Sequence, residues 1–229
     1  IKDTMQREIE KNINLLKYRI DQASQSSEMS MNEIGIIAVS KRKSLEHIKI
    51  AFDLGLKDFG ENYAQELQKK SEELQNLKII WHFIGPIQSN KIKTIARHAN
   101  WIHSLDRNSI VDKLDRECKL LDKVINGCIQ VNISEESSKS GIDSSELMSF
   151  ANHVDSMENI NLKGIMVLPK ITGDSKEEMR RSKELHEELM SVYPNANYLS
   201  MGTTSDFESA IQFGSNLIRV GELIFGKRL

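Results

Sequence analysis

The run Ile34-Gly-Ile-Ile-Ala-Val-Ser-Lys41 decides how the rest of the chain is read. It is too short for a helix and passes directly into a charged cluster. Continuous apolar runs of this length suit a strand buried on both faces, as in parallel sheets. Lys41 then sits where a core strand surfaces at its carboxyl end, the edge at which α/β barrels and open α/β sheets place their chemistry. On this stretch alone a solvated loop lysine is the simpler reading, so the remainder of the chain has to decide.

Working outward, residues 2–22 carry Met5, Ile9, Ile13, Leu16 and Ile20 at helical spacing, an amphipathic helix that needs a surface to lie on. After Lys41, Ser44 can cap a helix ending near Leu54, with Gly55 closing it. Further strands are expected at 58–62, 79–85, 101–106, 124–132, 162–169, 197–202 and 217–225. Helices are expected between them at 63–75, 88–97, 108–121, from Asp143, at 174–192 and at 205–213. Eight strands alternating with helices imply right-handed crossovers and a parallel sheet. The expected fold is a single α/β domain over 1–229, a (β/α)8 TIM barrel with an additional amino-terminal helix. An open doubly wound sheet is the alternative, and no glycine-rich dinucleotide fingerprint follows any strand to support it.

A chain of 229 residues can bury a sizeable core, and its net charge of -2 offers no field for nucleic acid or an anionic membrane. Cys118 and Cys128 read as buried thiols of a reducing compartment. No apolar stretch approaches a membrane span and the start reads as a charged helix, so the expectation is a cytoplasmic protein.

In a barrel the strand ends converge on one mouth, here Lys41, Asn62, His82 to Gly85, His103 with Asp106, Asn132, Met166, Ser200 to Thr204, and Arg219 with Gly221. Barrels often bind phosphate between the loops after strands seven and eight. Ser200-Met-Gly-Thr-Thr204 and Arg219-Val-Gly221 supply hydroxyls and backbone N–H groups there. The competing reading is structural: Thr204 or Ser205 caps the next helix, with Ser205 and Glu208 as a capping box. Arg219, flanked by Ile218 and Val220, must be paired or face a ligand. Gly221 to Lys227 mimics P-loop spacing, but Arg228 replaces the required Ser or Thr and the interior reads as apolar strand. The six histidines show no metal-ligand spacing, and His82 and His103 read as hydrogen-bonded barrel residues. The Lys69-Lys70 and Glu72-Glu73 cluster reads as a solvated helix face.

The motifs occur together in one family's order: Val39-Ser-Lys41, Phe59-Gly-Glu-Asn62, His82-Phe-Ile-Gly85 with Gln88 and Asn90-Lys91, His103-Ser104, Gln130-Val-Asn132, Ser138-Lys-Ser-Gly141, Lys163-Gly-Ile-Met166, Ser200-Met-Gly202 and Arg219-Val-Gly221. Over nearly its whole length the chain resembles the pyridoxal phosphate homeostasis proteins of the YggS/PROSC type. That family has the barrel of the alanine racemase amino-terminal domain (fold-type III) without the racemase's second β domain. The resemblance implies pyridoxal 5'-phosphate (PLP) held by Lys41 as an internal aldimine. It also implies Ser200, Thr204 and the Gly221 backbone at the phosphate, Arg219 at the pyridine nitrogen and Asn62 close to the cofactor. Schiff-base formation needs a neutral amine, which burial or a neighbouring cation favours. A permanently protonated arginine at the ring nitrogen weakens the ring as an electron sink. Two positions depart from the family: Arg42-Lys43-Ser44 stands for Thr-Lys-Pro, and Thr203-Thr204 for Met-Ser.

What the resemblance implies is a monomeric, non-catalytic PLP carrier that buffers the cofactor and delivers it to apo PLP-dependent enzymes. A PLP-dependent racemase of the alanine racemase type is the alternative, although two-base racemisation needs a proton-transfer group on each face of the substrate. A Schiff-base aldolase acting on a phosphorylated sugar is a third reading, and it would be colourless.

Overall fold

Ile37 and Ala38 are both fully buried, so the run that ends at Lys41 is covered on its two faces as its composition demands. The computed structural model describes residues 1–137, 139–171, 173 and 175–227. The strands are β1 (Gly35–Val39), β2 (Asp58–Glu61), β3 (Ile80–Phe83), β4 (Trp101–Leu105), β5 (Ile125–Val131), β6 (Ile160–Val167), β7 (Tyr198–Ser200) and β8 (Leu217–Val220). The helices are α1 (Lys2–Gln25), α2 (Leu45–Asp53), α3 (Ala64–Glu73), α4 (Ile92–His98), α5 (Asn108–Leu120), α6 (Leu147–Asp155), α7 (Ser175–Val192), α8 (Phe207–Gln212) and α9 (Glu222–Phe225). Each strand pairs in parallel with the next, and β8 returns to β1 from Gly35↔Leu217 to Ala38↔Val220. The ring is closed, which removes the open-sheet alternative and leaves no unpaired edge. Asp174, the expected start of the sixth inter-strand helix, lies outside the described residues, as do Ser138 and Arg228 of the motifs quoted above.

The amino-terminal helix is part of the core. Ile9, Ile13, Leu16 and Ile20 are at most 2% exposed, each burial contributing roughly 1.5–3 kcal/mol. Their stripe packs α1 against α2, α8 and α9. Asn12 Nδ2 donates to Ile224 O at 2.9 Å, and Arg19 pairs with Glu208 while lying 4.9 Å over the Phe207 ring.

Three expectations are corrected. The eighth strand ends at Val220, and the apolar residues beyond it form α9, with Ile224 and Phe225 buried. A short apolar run cannot distinguish a strand from a buried helical turn, and here the site under α1 selects the turn. The interior of the P-loop look-alike is therefore helical. The Ser205–Glu208 capping box is absent: α8 begins at Phe207 with Asp206 as N-cap, and Glu208 is occupied by Arg19. Lys70 is not solvated but 6% exposed and ion-paired.

Candidate functional site

A cavity of about 590 Å3 opens at the carboxyl ends of the strands. Of the six candidate residues, Lys41, Asn62, Thr204, Arg219 and Gly221 line it, and Ser200 does not. Ser200 is fully buried beneath the cavity, where its Oγ accepts from Arg219 Nη1 at 2.5 Å and lies 2.9 Å from His103 Nδ1. Its place is under the arginine rather than on the cavity wall.

Lys41 follows β1 on a segment held from both sides. Ser40 N donates to Gly60 O, and the Ser40 hydroxyl donates to Glu61 Oε2 at 2.5 Å. Lys70 Nζ donates to Ser40 O at 2.7 Å and to Glu61 Oε1 and Glu66 Oε2 at 2.8 Å each. Glu66 Oε2 also accepts from the backbone N of Arg42, a residue held at φ 62°. Positive φ is unfavourable for an arginine, so these bonds impose the turn that presents Lys41. Burial pushes the Glu61 carboxyl up to about 7, against the pull of Lys70 and of the Ser40 hydroxyl. Ser44 caps α2 by accepting from His47 N, as expected where the family has proline.

Arg219 is 4% exposed, and among the described residues no carboxylate lies within ion-pairing distance. Its partners are Ser200 Oγ and, from Nη2, Val167 O at 3.1 Å. Burial pulls its pKa down to about 10. A guanidinium that is buried, incompletely bonded and placed on a cavity wall is built to meet a ligand. Two further polar atoms are orphaned there: Asn62 Oδ1 and Asn132 Oδ1 are buried with no hydrogen-bond partner among the described residues. Asn132 Nδ2 is anchored to Glu136 O at 2.7 Å, which leaves the oxygen as the free acceptor.

The loop after β7 forms the opposite wall with Thr203, Thr204 and Ser205, beside Gly221 and Glu222. Asp206 Oδ1 accepts from Thr203 N at 2.7 Å and from its hydroxyl at 3.2 Å, which pins the turn. Gly202 has φ +105°, and a Cβ there would fall 2.8 Å from Ala210 Cβ, so only glycine lets this loop lie against α8. Lys43 and Lys139 join Lys41 and Arg219 on the wall, against one carboxylate among the described residues, that of Glu222. The cavity is electropositive, as an anionic ligand requires. Taken together, an amine, a buried guanidinium, free amide oxygens and a hydroxyl-rich loop fit PLP.

Strand-end reasoning reached Asn132 without assigning it a role, and it passed over Lys43, Lys139 and the Glu61–Lys70–Glu66 cluster. Glu66 and Lys70 stand four residues apart, a pairing signal legible in the sequence. Glu61 offers none, because its burial depends on where β2 meets α3. Cys118 and Cys128 are free and buried, their thiols pushed up by burial to about 11 and 12, and take no part in the site.

The model of the family "Alanine racemase, N-terminal domain" matches residues 9–228. The chain belongs to this family. Within it, the chain is 40% identical over 227 residues to the pyridoxal phosphate homeostasis protein of Haemophilus influenzae, covering 96% of both chains. It is 36% identical over 227 residues to the protein of that name from Escherichia coli, covering 96% of this chain and 97% of the other. The chain is therefore a member of the pyridoxal phosphate homeostasis proteins. Among solved structures it is similar to an unknown protein from Bifidobacterium adolescentis, with TM-score 0.93, 27% identity and coverage of 98% and 97%. It is also similar to PipY of Synechococcus elongatus, solved with PLP bound, with TM-score 0.83, 28% identity and coverage of 95% and 100%. An alanine racemase from Corynebacterium glutamicum shares the fold alone, at TM-score 0.70 and 13% identity; the match covers 97% of this chain and 61% of the racemase. Among the described residues no helix is long and apolar enough to cross a membrane.

Proposed function

We propose that this protein binds PLP in the mouth cavity and serves inside the cell as a PLP carrier, handing the cofactor to apo PLP-dependent enzymes without turning over a substrate. The observation that carries this reading is Arg219, a buried guanidinium with no carboxylate partner on the same cavity as Lys41. Lys41 would supply the amine for a Schiff base, and Arg219 would meet the pyridine nitrogen. Thr204 and the Gly221 backbone would hold the phosphate, with Asn62 and Asn132 on the same wall. Ser200, placed below the cavity, holds Arg219 instead of touching phosphate. When bound, PLP supplies an aldehyde and an electron-withdrawing ring. Arg219 keeps that ring nitrogen unprotonated, which suits storage better than carbanion chemistry. The barrel acts as one monomeric unit in this role. The racemase reading gains no specific support: Tyr18, Tyr63, Tyr193 and Tyr198 are all absent from the cavity wall.

The test is the visible absorbance of the purified protein before and after borohydride, with peptide mapping of the adduct. A yellow band trapped on Lys41, and no trapped adduct in Lys41→Ala, is the expected result. An adduct retained at another lysine overturns the assignment of Lys41. A colourless protein that takes up no added PLP overturns the cofactor reading.

A further inference from the structure

A hydrogen-bonded chain crosses the barrel interior and ends at the cavity. Asp58 opens β2, His82 lies in β3, His103 in β4, Ser200 closes β7 and Arg219 lies in β8. The links run from Asp58 Oδ1 to His82 Nε2 at 2.8 Å, His82 Nδ1 to His103 Nε2 at 2.9 Å, His103 Nδ1 to Ser200 Oγ at 2.9 Å, and Ser200 Oγ to Arg219 Nη1 at 2.5 Å. The four members beyond Asp58 are at most 4% exposed, whereas the Asp58 side chain keeps 34% of its surface in solvent. Strand register brings the parts together, with Asp58 beside Ile80 and Gly60 beside His82. Trp101 stacks on the His82 ring, with centroids 5.3 Å apart.

The two ends set the direction of every bond between them. A carboxylate can only accept, and a guanidinium can only donate. His82 therefore carries its proton on Nε2 and offers the Nδ1 lone pair, so His103 carries its own on Nε2 and offers Nδ1. The Ser200 proton then points to His103, and its oxygen faces Arg219 as an acceptor. The three protons of two neutral rings and one hydroxyl fill every link, and burial lowers both rings from the ordinary histidine range in the same sense, with His82 and then Arg219 adding to the effect at His103. Reversing the polarity would set the His82 Nε2 lone pair against Asp58 and leave the Ser200 proton without an acceptor.

We propose that Asp58, His82 and His103 are positioning residues that act through Ser200 to fix the Arg219 guanidinium against the cavity. The chain locks both histidine tautomers from a partly exposed carboxylate on the far side of the barrel. Nη1 of Arg219 is thereby held, Nη2 donates to Val167 O, and the side chain lines the cavity with donors left over. Only the identity of what Arg219 meets rests on the PLP reading; the chain itself is a property of the unloaded protein.

The experiment uses nitrogen NMR of the histidine rings and of the Arg219 guanidinium, first in the unloaded wild-type protein and then in Asp58→Asn and Asp58→Glu. Expected in wild type are two rings protonated at Nε2 only, with slow rotation of the bonded Arg219 Nη. In Asp58→Asn the amide can donate to His82, so mixed tautomers and faster guanidinium rotation are expected, with Asp58→Glu restoring the wild-type pattern. With PLP added, Asp58→Asn should bind about fivefold more weakly, the equivalent of one weakened hydrogen bond. Unchanged tautomers and guanidinium rotation in a folded Asp58→Asn overturn the proposal, as does changed tautomerism with Arg219 unaffected. If wild type takes up no PLP, the functional reading falls, and the unloaded spectra still decide whether the chain holds Arg219.

Discussion

Two buried cations serve the site, Arg219 on the cavity wall and Lys70 against the backbone before Lys41, and they are satisfied in opposite ways. Lys70 is 6% exposed, and its three N–H donors meet Ser40 O, Glu61 and Glu66. Arg219 is 4% exposed, yet among the described residues its five donors meet only Ser200 Oγ and Val167 O. The difference separates a structural cation from a receptive one. Lys70 has nothing left to offer and clamps the backbone on either side of Lys41. Arg219 keeps donors in reserve, and the carboxylate of Asp206 acts on it only from beyond ion-pairing distance. A buried charge left incomplete costs stability, and that cost is expected where the missing partner is a ligand.

The sharpest way to break the comparison is to remove each cation in turn. Lys70→Met leaves Glu61 buried without its partner and should destabilise the unloaded protein by about 3–5 kcal/mol in urea unfolding. A loss under 1 kcal/mol would show that the cluster is not the clamp described.

A second contrast appears with pH, because the two regions respond in opposite senses. The Glu61 carboxyl titrates in the folded protein at about 7 against an ordinary 4.5, so its contribution is complete below about pH 4.5 and is lost as pH rises through about 7. His82 and His103 are held below 6.5, so their contribution is present above pH 6.5 and is lost as pH falls. Glu61→Gln removes the opposing component. Its stability should climb more steeply than wild type between pH 4.5 and 7, the difference amounting to on the order of 2–3 kcal/mol. Parallel curves from urea midpoints across that range would contradict the assignment.

The smallest effect is the most discriminating. Arg219→Met replaces an incompletely paired buried cation with an apolar chain and should change the stability of the unloaded protein by less than about 1 kcal/mol. The PLP affinity of the same variant should fall severely. A large loss of stability without PLP would make Arg219 as structural as Lys70.

The fold was legible because barrels repeat one unit. Each of the eight apolar runs became a strand, and the stripe on α1 proved to be a buried face. Boundaries failed where a local pattern fits two outcomes: Leu223-Ile-Phe225 could extend β8 or form a turn, and the space under α1 chose the turn. That Lys41, Asn62, Thr204 and Gly221 lie on the cavity wall was legible because they end strands or begin loops. Ser200 ends β7 as expected but is off the wall, since sequence order gives the strand terminus and not the depth at which a side chain is buried. Lys70 was misread because an exposed helix face and a buried one differ only by what the neighbouring strand brings against it.

By itself the sequence determined the alternation of strands and helices, the placing of a lysine at the end of a core strand, and membership of a family through motifs read in order. These are local or linear properties, carried by spacing and residue type. Only the tertiary structure decided that Arg219 has no carboxylate within ion-pairing distance among the described residues, that Lys70 is buried against two, and that Asp58, His82, His103 and Ser200 form one chain leading to Arg219. Those facts depend on strand register and barrel closure, which bring residues up to 97 positions apart into hydrogen-bond contact.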